Sequence, residues 1–202
     1  VEEDNNIRRD TSLEKLSSLK PVFDRSGEGT MTAGNSTPLT DGAAALLLAS
    51  EDWAKKKNLP VLAYLTFAKV AAVNFIDDEG LLMAPAYAVS EMLKEANLSL
   101  QDFDFYEIHE AFAAQTIATL KAWQSAKFCR ERLGRDQAMG PIELAKLNVK
   151  GGSLAMGHPF AATGARILAT LAKLLGEKGS GRGLVSVCTA GGMGVTAILE
   201  AA

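Results

Sequence analysis

The sequence predicts an α/β protein with a mixed sheet covered by helices, and three observations predict it. Segments of strand and helix character alternate in the order strand, helix, strand, helix, helix, strand, strand. The last two strand segments, "GLVSVC" and "VTAILEA", are joined through a tight turn built on "GGMG", which calls for an antiparallel hairpin closing the sheet. The composition is that of a globular core: 48% of the 202 residues are hydrophobic and 22% are charged. That length supports one sizeable core, or one domain plus part of another.

Taken in order, residues 1–29 read as an extended or loosely helical lead-in that ends in the turn composition "DRSGEGT". Ser36, Thr37, Thr40 and Asp41 can each cap a helix predicted over residues 43–57. Its opening "AAALLLA" is apolar all round, so that end is expected to be buried. Asn58 and Pro60 stop it. Residues 61–75, rich in β-branched and aromatic side chains, form a strand, and "DDEG" turns the chain. Pro85 suits the first turn of a helix running to Ala96, with Ala88, Met92, Leu93 and Ala96 on one face. "FDFYEIH" is a short strand and "EAFAAQTIATLKAW" a helix. Residues 125–147 are charged and irregular, with short helices. A helix over 159–175 leads to the closing strands.

Composition excludes several function classes. A net charge of -3, with no lysine or arginine excess, argues against a nucleic-acid partner. Apolar runs such as residues 42–49 are too short to span a bilayer, and no signal-peptide pattern opens the sequence. Two cysteines, Cys129 and Cys188, do not make a disulfide framework and point to a reducing compartment. The first residue is Val1 rather than Met, and a polar stretch follows it, so the chain reads as a piece of something longer.

In open α/β sheets, reactive groups gather at the carboxyl ends of strands. Three side chains fall at such edges. His109 ends a strand and enters a helix. His158 sits at a helix start inside "GGSLAMGHPFAATGAR". Cys188 ends a strand and precedes "TAGGMG". Around His158, glycines allow close backbone approach and Pro159 fixes the following φ, while the helix dipole disfavours imidazolium. A rigid neutral imidazole there can take a proton or donate one hydrogen bond. Beside His109, Glu110 reads either as a carboxylate favouring a helix start or as a polar group aimed into a site. A cysteine such as Cys188 is ordinarily a small hydrophobe, but the following turn can present backbone N–H groups beside it, as an oxyanion hole requires. Cys129 reads as an incidental helical thiol.

Rival motifs fail. "GMGVTA" has the GxGxxA form, but only five residues follow it, too few for a dinucleotide fold. "GGSLA" lacks the last glycine of a nucleophile elbow, and no third histidine exists for a triad. His109, His158 and Cys188 lack metal-ligand spacing, so no metal site is expected.

The motifs together resemble the C-terminal half of a thiolase, the acetyl-CoA acyltransferase family. "HEAFAAQ" resembles its Asn/His-Glu-Ala-Phe motif, "GGSLAMGHPFAATGAR" its Gly-His-Pro motif, and "CTAGGMG" its Cys-x-Gly/Ala-Gly-Gly motif. "TAGNSTPLTDGAAALLL" resembles the segment closing the N-terminal domain, and "IRRDTSLEKLSSLKPVF" the end of the CoA-binding loop domain. The resemblance implies half of a two-fold repeated αβαβα architecture. Residues 1–29 would be the tail of the loop domain, 30–58 the last segment of the N-terminal domain and 59–202 the C-terminal domain. His109, Ala190 and the insertion "KFCRERLGRDQAMGPIELAKLNV" resemble the β-subunit of the fatty-acid-oxidation complex, which acts on 3-ketoacyl-CoA.

That resemblance also implies roles. His158 would take the proton of a nucleophilic cysteine and help hold the thioester oxygen, and His109 would help form that first oxyanion hole, directly or through water. Cys188 would be the acid/base, and the Ala190 N–H would line a second oxyanion hole. Ser36 or Thr37 would lie near the pantetheine arm, and Met83 and Met156 can line the acyl pocket. Coenzyme A would be a substrate, with no resident cofactor. The implied partners are the N-terminal domain, further copies in a dimer or tetramer, and an α-subunit. The location would be cytoplasmic, or mitochondrial in a eukaryote. The family's nucleophile belongs upstream, so these residues alone are expected to be inactive. Alternatives are an acetoacetyl-CoA thiolase and a non-catalytic CoA-binding or interaction module. The related ketoacyl synthases lack the late cysteine that Cys188 supplies.

Overall fold

The computed structural model describes residues 2, 4–77 and 79–202. In chain order the regular elements are α1 (Leu13–Ser17), α2 (Glu51–Lys56), β1 (Ala63–Ala72), α3 (Ala84–Ala96), β2 (Phe105–Ile108), α4 (Ala113–Gln124), α5 (Ala126–Leu133), α6 (Ser153–Met156), α7 (Thr163–Lys178), β3 (Arg182–Thr189) and β4 (Met193–Ala201). The strands form one mixed sheet in the order β1-β4-β3-β2. β3 and β4 make the antiparallel hairpin that the glycine-rich turn predicts, and β2 runs parallel to β3. β1 is antiparallel to β4 at the outer edge. The "DDEG" turn includes Asp78, outside the described residues.

Side-chain alternation puts both sheet faces to use. Leu184 and Ile198 pack with Ala86, Val89, Met92 and Leu93 of α3. Their neighbours Val185, Ala197 and Leu199 pack with Ile167, Leu171 and Leu175 of α7. Successive strand residues point to opposite faces, so β3 and β4 read as near-continuous apolar runs. Helix α3 starts with Pro85 in its first turn and ends at Asn97, whose left-handed φ of 53° lets its N–H close on the Leu93 and Lys94 carbonyls. Burying Val89, Met92 and Leu93 stabilises this layer by roughly 2 kcal/mol per side chain.

One expected element is largely absent. Residues 41–50 have no regular structure, and the helix is confined to α2, capped by Ser50 Oγ accepting from Trp53 N–H at 3.3 Å. The expected burial of "AAALLLA" is overturned as well: Leu47 is 73% and Leu48 67% exposed. A segment that is apolar all round gains helix stability only from partners on every side, and none of the described residues surrounds it.

Candidate active site

The site lies along the carboxyl edge of β2 and β3. His109 follows β2 directly, and its N–H donates to the Ser186 carbonyl of β3 at 2.8 Å. Cys188 stands two residues further along β3. His158 arrives on the loop between α6 and α7, and the two imidazole rings lie 4.3 Å apart, centre to centre. The three side chains singled out in the sequence therefore occupy one rim.

A distant segment laces the two histidine loops together. Thr37 N–H donates to the Ala111 carbonyl (3.0 Å), and Ala113 N–H donates to the Asn35 carbonyl (2.9 Å). On the other side, His158 N–H donates to the Pro38 carbonyl (2.9 Å). Thr37 Oγ1 also donates to the Ser153 carbonyl at 2.7 Å. Thr37 thus acts through the backbone of the site. Ser36 Oγ is committed to the Thr32 carbonyl at 2.7 Å.

A clamp behind the rim fixes the loop that leads to His158. The Asn148 side-chain amide accepts from Ile108 N–H and donates to the Ile108 carbonyl, both at 2.9 Å, so it continues the edge pairing of β2. It also donates to Glu110 Oε1 at 2.7 Å, while Glu110 Oε2 accepts from Leu154 N–H at 3.2 Å. Glu110 therefore points inward and holds the α6 loop. Gly152 lies against this clamp: a Cβ there would overlap the Glu110 carboxylate and stand 2.5 Å from Asn148 Nδ2.

Electrostatics keep the reactive groups uncharged. Burial, reinforced by His158 and Arg166, pushes the His109 pKa down to about 4. Burial and Arg166 also lower that of His158. The His158 Nδ1 is 2.6 Å from Thr163 Oγ1, whose hydroxyl donates to the Pro159 carbonyl at 3.3 Å. With its proton given there, Thr163 accepts from Nδ1–H and leaves Nε2 as a bare base. Burial pushes the Cys188 thiol up to about 11, although the N–H groups of Cys188 and Ala111 act against the rise. At neutral pH Cys188 is a proton donor.

Ala190 is exposed in the turn after Cys188, where Gly191 and Gly192 adopt φ of 85° and 75°. Val73 N–H donates to the Gly192 carbonyl at 2.8 Å and pins this turn. Met156 lines a cleft of about 780 Å³ with Leu39, Thr40, Gly157, Pro159 and Arg166. Met83 is set apart from it, half-buried against the main core under α3. Cys129 is fully buried in α5, with Sγ 3.4 Å from the Trp123 carbonyl.

Sequence reasoning passed over Glu107, Asn148, Ser153, Thr163 and Arg166. A signal existed for Glu107, a lone carboxylate in an apolar strand. It is 1% exposed, and burial raises its pKa to about 7, with Arg166 opposing and Glu110 adding to the rise. The native state thus holds this proton up to about pH 7, whereas the unfolded chain releases it near 4.5. Stability contributed by Glu107 falls as pH rises through that window, by about 3 kcal/mol in all. His109 acts in the opposite sense: its folded pKa is depressed, so stability is lost as pH falls from about 6.5 towards 4. The two slopes offset one another in the native sequence. Urea unfolding of Glu107→Gln should therefore show a gain over wild type that grows from pH 5 to pH 8, together with a steeper acid decline. Parallel pH curves for the two proteins would refute this.

Comparison with known proteins identifies the family to which this fold belongs. Residues 59–201 match the thiolase C-terminal domain and residues 1–52 the thiolase N-terminal domain. The chain belongs to the thiolase family. It is 50% identical over 198 residues to a 3-ketoacyl-CoA thiolase of Yersinia pestis, covering 98% of this chain and 45% of that protein. The acetyl-CoA acetyltransferase of Bacillus anthracis superposes with a TM-score of 0.82 at 38% identity, covering 99% of this chain and 45% of that one. The dimeric peroxisomal thiolase of Saccharomyces cerevisiae gives 0.80 at 37% identity, over 96% and 44%. The chain thus spans less than half the length of these relatives, and its fold is thiolase-like.

Proposed function

We propose that these residues carry the two-histidine, acid/base side of a thiolase site that cleaves 3-ketoacyl-CoA with coenzyme A, giving acetyl-CoA and a shortened acyl-CoA, or runs the reverse condensation. The convergence of His109, His158 and Cys188 on one rim carries the reading. A nucleophilic cysteine gives its proton to His158 and attacks the ketone. The His109 and His158 rings hold the substrate thioester oxygen, where negative charge develops as the carbon–carbon bond breaks. Cys188, a thiol at neutral pH, protonates the departing acetyl-CoA carbanion. Its thiolate then takes the proton of the incoming coenzyme A, whose sulfur displaces the acyl group from the nucleophile. The Ala190 N–H lines the second oxyanion hole, and Met156 borders the acyl chain.

Cys129 cannot be the nucleophile, because it is sealed in the core. The 202-residue chain alone is therefore inactive on this reading, and a thiolase N-terminal domain supplies the missing thiol. Coenzyme A is a substrate, and the reaction uses no resident cofactor. The 50% identity to a relative named 3-ketoacyl-CoA thiolase supports the degradative substrate class. The His109-containing motif supports a β-oxidation complex, with an α-subunit as partner. A cytoplasmic or mitochondrial setting suits two unpaired cysteines.

The test joins this chain to the N-terminal portion of the Yersinia relative and measures coenzyme A-dependent consumption of 3-ketoacyl-CoA across chain lengths. Turnover of medium and long chains supports the proposal. Turnover of acetoacetyl-CoA alone would favour the acetyltransferase reading, and a folded chimera that binds coenzyme A without turnover would favour a binding module.

A further inference from the structure

We infer that Ser153 and Arg166 are positioning residues that lock His109 into the tautomer with its proton on Nε2, making that nitrogen a permanent hydrogen-bond donor in the site. The inference rests on the placement of His109 in the proposed thiolase site, but its evidence is a proton count that does not depend on any activity.

Ser153 is 0% exposed, and its hydroxyl has two neighbours within hydrogen-bond distance among the described residues. Arg166 Nη2 is 3.1 Å away and can only donate. His109 Nδ1 is 2.8 Å away and can do either, depending on where its proton sits. A buried hydroxyl proton without an acceptor costs about 1–3 kcal/mol. The guanidinium occupies one lone pair of Oγ, so the hydroxyl proton has a single place to go, which is His109 Nδ1. Nδ1 is then an acceptor, and the ring proton resides on Nε2.

Two further features close the alternatives. Doubly protonated His109 is disfavoured, since burial and the nearby Arg166 hold its pKa at about 4. Arg166 has little else to bind: among the described residues its buried Nε and Nη1 have no hydrogen-bond partner, and the buried Glu107 carboxyl, whose Oε1 has none there either, lies within its electrostatic reach. The guanidinium therefore has its hydrogen bond to Ser153 as its fixed point.

The consequence separates the two histidines. His158, backed by Thr163, presents a bare Nε2 that accepts a proton. His109, backed by Ser153, presents Nε2–H. Two imidazoles 4.3 Å apart thus take opposite roles without either being charged. A donor preset toward developing negative charge needs no reorganisation during the reaction, whereas the other tautomer would place a lone pair there.

The chain has only two histidines, so nitrogen-15 NMR of histidine-labelled protein reads both rings directly, and a His158→Gln sample assigns them. Wild-type His109 is expected to show an unprotonated Nδ1 and a protonated Nε2, constant from pH 6 to pH 8. Ser153→Ala and Arg166→Met should each convert this to a mixture of tautomers, while Ser153→Thr restores the single form. A wild-type ring protonated on Nδ1 would overturn the inference, and so would a Ser153→Ala spectrum in which the His109 tautomer is unchanged. The wild-type measurement stands if a variant fails to fold. All of these outcomes are read without turnover, so failure of the thiolase assignment remains a separate result.

Discussion

Cys188→Ala, placed in the chimera with a thiolase N-terminal domain, is expected to lower 3-ketoacyl-CoA thiolysis by about a thousandfold. The sulfur is the acid/base group that the closing hairpin brings to the rim, and its thiol is held protonated to about pH 11. Removing it takes away both the proton for the departing carbanion and the base for the incoming coenzyme A. A thousandfold loss corresponds to about 4 kcal/mol of transition-state stabilisation. The loss should fall on kcat, because the small side chain contributes little to substrate binding. Folding should be nearly unaffected, since alanine keeps most of the packed volume. Retention of wild-type kcat would remove Cys188 from the chemistry.

The largest expected stability change is at Gly152. Its φ of -97° is available to any residue, so conformational freedom is not what requires glycine there. The requirement is space: an added methyl enters the volume held by the Glu110 carboxylate and the Asn148 amide. Glu110 would have to swing out, giving up its bonds to Asn148 and to Leu154 N–H. Overpacking together with a lost charge-assisted hydrogen bond should cost Gly152→Ala about 4 kcal/mol, lowering Tm by about 10 °C in a chain of this size. Gly164→Ala is the control. It lies in the first turn of α7 with nothing within 4 Å of a new methyl, and it should be neutral or stabilise by up to about 1 kcal/mol. Equal effects of the two substitutions in thermal unfolding would contradict the clamp.

The contrast between these glycines shows what could be read from the sequence. The hairpin at Gly191 and Gly192, the start of α3 at Pro85 and the strand ends bearing His109 and Cys188 follow from local rules and are found, whereas His158 lies in the loop ahead of α7, which begins at Thr163 rather than at Pro159. Local rules failed at residues 43–49, where helix propensity is high but nothing among the described residues surrounds the segment, so the chain is left without regular structure. They also could not reveal Asn148, Ser153 or Arg166. Each is an ordinary polar residue in sequence. Each gains its role from partners far away: Asn148 from Ile108, 40 positions off, and Ser153 from His109, 44 positions off.

The lacing of Asn35, Thr37 and Pro38 between the histidine loops also sets an order of events during folding. The bond from Thr37 to the Ser153 carbonyl closes a separation of 116 positions. Closing so long a loop is slow relative to forming the β3–β4 hairpin or α7, whose contacts are local. The β3–β4 hairpin and α7 can therefore consolidate while the histidine loops are still loose. The rim assumes its shape only when the N-terminal strip arrives and threads it. In native-state hydrogen exchange, the His158 amide, bonded to Pro38, should report release of that strip, while the amides of Leu184 and Ile198 report loss of the whole sheet. The reactive edge of the molecule in this sense depends on a strip that reaches it from far away along the chain.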